Sequence, residues 1–145
     1  MAKLTYGPDD VTPLDVLDYL RGNESRFFRS GAYDAVELAG MIATEALLLG
    51  AEDIRIRSDG DWLTVSADRD WLEAHEQEAF QTVLPFPEAG VNSMMAEILA
   101  VAFSAGVATA TGDTSEVVKG ELAFPARPLD RNTARAVSFM RRRSE

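Results

Sequence analysis

The apolar residues Val36, Ala39, Gly40, Ala43, Ala46 and Leu47 recur at helical spacing, and Gly50 stands where a helix C-cap belongs, so residues 32–49 are predicted as the best helix in the chain. The period then changes. Asp53-Ile54-Arg55-Ile56-Arg57 alternates polar and apolar positions, Ser58-Asp59-Gly60-Asp61 tolerates positive φ, and Trp62-Leu63-Thr64-Val65-Ser66 alternates again, which predicts a hairpin. Upstream, Thr12, Pro13 and Asp15 mark the start of a short helix that runs to about Arg21 and ends at Gly22-Asn23. The stretch from Asn23 to Gly31 reads as an ordered loop pinned by Phe27 and Phe28.

Downstream, residues Glu73 to Gln81 are predicted as a short helix, broken by a loop from Pro85 to Gly90. Ser93 is expected to cap a helix through Phe103, in which Met94, Met95, Ile98, Leu99, Val101, Ala102 and Phe103 cover nearly the whole circumference. Such a helix belongs inside, against a sheet. Strands are expected over Val107 to Thr111 and Glu116 to Ala123, flanking the turn Gly112-Asp113-Thr114, with a last strand from Ala134 to Met140 after the loop Pro125 to Pro128. Early helices and hairpin-paired strands make the class α+β, a two-layer sandwich with helices on one face of a largely antiparallel sheet.

Composition narrows the partners. With 145 residues, 46% apolar and 26% charged, the chain suits one globular domain spanning 1–145. A net charge of −10 repels nucleic acid and anionic lipid, and the basic run Arg141-Arg142-Arg143 reads as a solvated tail. The absence of cysteine removes disulfides and thiolate metal sites, and His75 alone leaves zinc to carboxylates, so no metal is expected. His75 itself, among Glu73, Glu76 and Glu78, is expected to be exposed. No signal-peptide core or membrane-length stretch is present, which makes the cytoplasm the expected compartment.

Three stretches carry a family resemblance. Val36-Glu37-Leu38-Ala39-Gly40-Met41-Ile42-Ala43-Thr44-Glu45-Ala46-Leu47 leads into Ile54-Arg55-Ile56 and Leu63-Thr64-Val65; Asn92-Ser93-Met94-Met95-Ala96-Glu97-Ile98-Leu99-Ala100 follows; Thr133-Ala134-Arg135-Ala136-Val137-Ser138-Phe139 closes the series. In order and spacing they resemble the N-terminal ATPase domain of the gyrase B subunit, in the family that also holds histidine kinases, heat-shock protein 90 and the mismatch-repair ATPases. The resemblance implies a degenerate Bergerat-type ATPase fold, here without its lid.

It also implies where chemistry has been lost. Glu37 matches the glutamate that polarises the attacking water, although an acid in a first helical turn is equally explained by the macrodipole. One turn later the magnesium-ligating asparagine is replaced by Met41, whose thioether suits no hard cation. After the second strand, the aspartate-and-glycine motif that reads adenine is replaced by Ala67-Asp68-Arg69-Asp70-Trp71, so Asp68 is either a shifted adenine reader or a solvated strand-end acid. Only Gly90 remains of a glycine-rich lid between Leu72 and Ser93, and Arg135 stands opposite the threonine that assists the adenine aspartate.

ATP hydrolysis is therefore not expected, and no cofactor is implied. Gly40, Met41, Thr44, Trp71, Met94 and Arg135 would line an altered, more apolar pocket for an apolar small molecule, with Glu37 or Asp68 orienting one polar group. A cofactor-independent cyclase of natural-product biosynthesis fits that pocket, because holding near-attack geometry suffices for such a step. Alternatives are a drug-binding self-resistance or immunity protein without chemistry, and a topoisomerase-interaction module whose cavity is filled by Met41, Trp71 and Met94. The module would show an exposed apolar patch.

Overall fold

The computed structural model describes residues 13–112, 114–120 and 131–141. Helix α1 spans Pro13–Gly22, the single turn α2 Glu24–Phe27, α3 Ala35–Leu48 and α4 Glu97–Phe103. The strands are β1 Ile54–Asp59, β2 Trp62–Ala67, β3 Val107–Thr111, β4 Ser115–Lys119 and β5 Arg135–Met140. They form one antiparallel sheet in the order β1-β2-β5-β3-β4. The α+β reading with an antiparallel sheet stands. Thr12, the segment Glu121 to Ala123, the loop Pro125 to Pro128 and Arg142-Arg143 lie outside the described residues.

Helix α3 begins because Asp34 accepts hydrogen bonds from the backbone N–H groups of Val36 (2.9 Å) and Glu37 (3.1 Å). It ends as the sequence predicts: Gly50, at φ +108°, turns the chain out while Ala51 N–H bonds back to the Ala46 carbonyl. The helix packs on β1 and β2, and Leu38, Ala39, Ile42 and Ala46 enter the same buried cluster as Leu63, Val65 and Ala67 of β2. Val137 and Phe139 of β5 and Val107 of β3 continue that cluster across the sheet. Every residue of α4 is buried, and α1 packs against it. Its last carbonyls are satisfied by cations, with Lys119 Nζ donating to Val101 O (2.6 Å) and Arg21 Nε to Ala102 O (2.9 Å).

Between the helices, Phe28, Tyr33 and Phe103 form an aromatic cluster with edge-on contacts at 5.5 Å. The expected pinned loop is thus partly the helical turn α2, and Phe28 is the ring that anchors it. No helix among the described residues is long and apolar enough to cross a membrane.

Two helix expectations need correction. Ser93 does not cap α4, which begins at Glu97, because the preceding residues bond elsewhere. Phe86 N–H donates to Ser93 O (2.8 Å), Met95 N–H donates to Leu84 O (3.0 Å), and Pro85 bridges Met94, so residues 84–95 double back as a short flap. Asn92 takes φ +67° at its tip, and the turn Pro87–Ala89 packs on α3. Residues Glu73 to Gln81 are likewise a run of turns with a single 3-10 turn, Glu78–Phe80, at the end. There Glu76, one of the acids expected on a helical face, is drawn to Arg135.

Candidate functional site

Arg135 projects from β5 into the helical layer and is wholly buried. Its guanidinium meets Asp70 in a two-pronged pair, Nε–Oδ1 at 2.8 Å and Nη2–Oδ2 at 3.0 Å. Nη1 completes the shell, donating to Thr109 Oγ1 (3.0 Å) and Glu76 Oε1 (3.3 Å). Burial opposes the charge, but the hydrogen bonds and field of Asp70, then of Glu76, outweigh it and hold the guanidinium pKa above its ordinary value. Arg135 is therefore held in a fixed ion pair.

Trp71 is also inside, and its indole Nε1 donates to Glu97 Oε2 at 3.0 Å. Glu97 lies on α4, and beside it Glu45 of α3 accepts the Ala96 backbone N–H on Oε1 at 2.8 Å. Both side chains are essentially inaccessible to solvent. The other two oxygens, Glu45 Oε2 and Glu97 Oε1, receive no donor from the rest of the protein. One proton between the carboxyls satisfies both. Burial first, then the hydrogen bond and charge of Glu97, push the Glu45 pKa far up from 4.5, so at neutral pH Glu45 keeps that proton and donates it to Glu97.

The two expected polar residues sit elsewhere. Glu37 is half-buried at the start of α3, and both its oxygens accept the backbone N–H of Arg29 at 3.1 Å, which ties the α2–α3 loop to the helix. Asp68 is exposed and accepts the Glu52 N–H at 2.9 Å; that bond and its backbone neighbours hold its carboxyl below its ordinary pKa. It braces the turn after α3, in keeping with a strand-end acid. Neither joins the cluster of Arg135, Trp71 and the paired glutamates.

The helix wall divides the remaining candidates. Met41 lies one turn before Glu45 on the same face, half-buried and packed against the core, as is Met94 in the flap. Thr44 is exposed and Gly40 half-buried, and a Cβ on Gly40 would meet nothing within 4 Å. With them on the outer arc stand Val36, Leu47 and Leu48, which are 64%, 58% and 44% exposed. The charged residues of α3 are the buried Glu45 and Glu37, which lies on the outer arc near its N-terminal end, so the arc is largely apolar with one acid and one hydroxyl. This stripe and the carboxyl pair escaped the sequence reading, which took α3 residues as pocket lining. Two described clefts lie away from the carboxyl pair, and the second borders the stripe at Val36. One of about 240 Å³ is bordered by Arg55, Ser66 and Arg131, and one of about 300 Å³ by Tyr33, Val36 and Arg141.

No family model matches the chain, and no curated protein or solved structure matches it either.

Proposed function

We propose that this chain is a gyrase-B-like domain that no longer handles ATP and works by binding, with the outer wall of α3 as its contact surface. The sequence of long helix, hairpin, short helix, strand pair and closing strand supports the gyrase-like reading, with the flap of residues 84–95 in place of a phosphate lid. The observation that carries the binding role is the outer arc of α3, where Val36, Leu47 and Leu48 are exposed apolar side chains on either side of half-buried Gly40 and exposed Thr44. A helix apolar on nearly all sides belongs between two partners. A photo-crosslinking amino acid at Thr44 in the producing cell is expected to give a covalent adduct to a protein. Its complete absence under exhaustive irradiation would remove the docking role.

A second reading, an apolar small-molecule site with cofactor-independent chemistry such as cyclisation, is favoured by the proton held between Glu45 and Glu97 behind Met41. A carboxylic acid kept neutral at neutral pH is a suitable proton donor. In that case the flap would have to open, because both carboxyls are covered.

Either reading excludes ATP. On the resemblance, Arg135 with its ion pairs stands opposite the threonine that assists the adenine reader, the Trp71 indole stands at or near a glycine of its motif, and Met41 offers no magnesium ligand. ATP with magnesium is expected to leave the thermal midpoint unchanged, since a ligand specific to the folded state would raise it. A dose-dependent rise would overturn both readings together.

A further inference from the structure

The cleft of about 240 Å³ lies on the face of the sheet turned away from the helices. In the β1–β2 pairing Ile54 stands opposite Ala67 and both pack in the core, so their neighbours Arg55 and Ser66, also paired, turn to the other face. The strand order places β2 between β1 and β5. Ser66 is therefore the floor, with Asp53 and Arg55 on one wall and Arg131, Asn132 and Thr133, which lead into β5, on the other. Backbone bonds tie both walls to the floor strand: Asp68 N–H donates to Asp53 O at 3.1 Å, and Ala134 N–H to Ala67 O at 2.8 Å.

We infer that this cleft binds a small organic phosphate. The chain has 24 acids against 14 bases, yet the cleft holds two guanidiniums to one carboxylate, and Arg57 stands two residues further along the same face. Such a local reversal of sign draws in an anion that the rest of the surface repels. The fold itself leaves these donors idle. Arg131 and the side chains of Ser66, Asn132 and Thr133 make no hydrogen bond or ion pair among the described residues. Arg55 reaches only Asp53, with both prongs at 3.4 Å, long for such a pair, and the two side chains are 66% and 49% exposed. An incoming anion can take over that guanidinium without loosening the sheet.

The placement of the donors selects the class of anion. They converge from two walls and a floor, which suits the three oxygens of a phosphoryl group better than the planar pair of a carboxylate. Asp53 is then left to accept a hydroxyl from the rest of the ligand. At about 30 Å³ per water the cleft holds roughly eight waters, room for a phosphoryl group on a short hydroxylated chain. The site is across the sheet from α3, so it stands or falls separately from the docking role.

Isothermal titration calorimetry on the full chain at low ionic strength tests this, with glycerol 3-phosphate, inorganic phosphate, glycerate and glycerol as probes. Glycerol 3-phosphate is expected to bind with a dissociation constant on the order of 0.1 to 1 mM, inorganic phosphate and glycerate about tenfold more weakly, and glycerol not at all. Added salt should weaken the binding. Arg131→Gln and Arg55→Gln should each cost at least about tenfold, whereas Arg57→Gln, outside the cleft, should cost less than about twofold. All three arginines are exposed, so the thermal midpoints should stay where they are. Asp53→Ala should tighten inorganic phosphate, because it removes the competing acid, and narrow the lead of glycerol 3-phosphate. No heat from any anion at about 20 mM overturns the inference. So does binding that Arg131→Gln and Arg55→Gln leave unchanged, and so does glycerate binding more tightly than glycerol 3-phosphate.

Discussion

Replacing Glu45 with glutamine is expected to stabilise the protein, by a margin that widens as the pH rises. In the unfolded chain Glu45 loses its proton near its ordinary value of 4.5, whereas burial and Glu97 make the folded protein keep it well above that. The group's contribution is thus fully present below pH 4.5 and is lost progressively upward, through neutrality and into the alkaline range. Over that window folding takes up a proton, and stability falls by up to about 1.4 kcal/mol per pH unit. Glutamine keeps the oxygen that accepts the Ala96 N–H and offers Glu97 an N–H that does not titrate. Urea denaturation of both proteins across the pH range should therefore give similar stabilities near pH 5. By pH 8 the variant should lead by at least about 2 kcal/mol. Parallel curves would show that no proton is shared in the folded state.

The carboxyl pair also marks where sequence reading stopped. Helix α3, the hairpin β1–β2, β3 and the closing strand were legible because each rests on a local period or a local turn, such as the alternation through Trp62-Leu63-Thr64-Val65-Ser66 and the glycine after Leu49. The flap was not legible. Its bonds join Leu84 to Met95 and Phe86 to Ser93 through backbone groups, and the run from Met94, apolar but for Glu97, hides the boundary at which α4 begins. Glu45 and Glu97 carried a usable signal, each being an acid among apolar residues on a helix predicted to be buried. Their pairing across 52 positions could be known only once α3 and α4 were placed side by side. Arg135 was noticed as a misfit, but Asp70 and Glu76 were read as parts of a broken motif and a helix. Their shared role as its counter-ions is a tertiary fact.

Those counter-ions set the second large effect. Asp70→Ala is expected to destabilise the fold by about 3 to 5 kcal/mol, because it leaves a guanidinium with no exposed surface facing only Thr109 and a longer contact to Glu76. The two oxygens removed are those at 2.8 and 3.0 Å, so the variant loses the shortest and best-oriented bonds of the cluster. Arg135→Met should be far milder, under about 1.5 kcal/mol, since a flexible apolar chain of similar length fills the space and the acids left behind reach water. Asp70 and Glu76 side chains are already 23% and 44% exposed, and Thr109 keeps its bond to the Ala136 carbonyl at 3.0 Å. The double variant should recover most of what Asp70→Ala loses, because no buried cation then remains unpaired. Urea denaturation midpoints of the three proteins decide the matter. If Arg135→Met were the more damaging single change, the guanidinium would be contributing net stability through its packing or its bond to Thr109, and the account of this cluster as a charge held in place by Asp70 would fail.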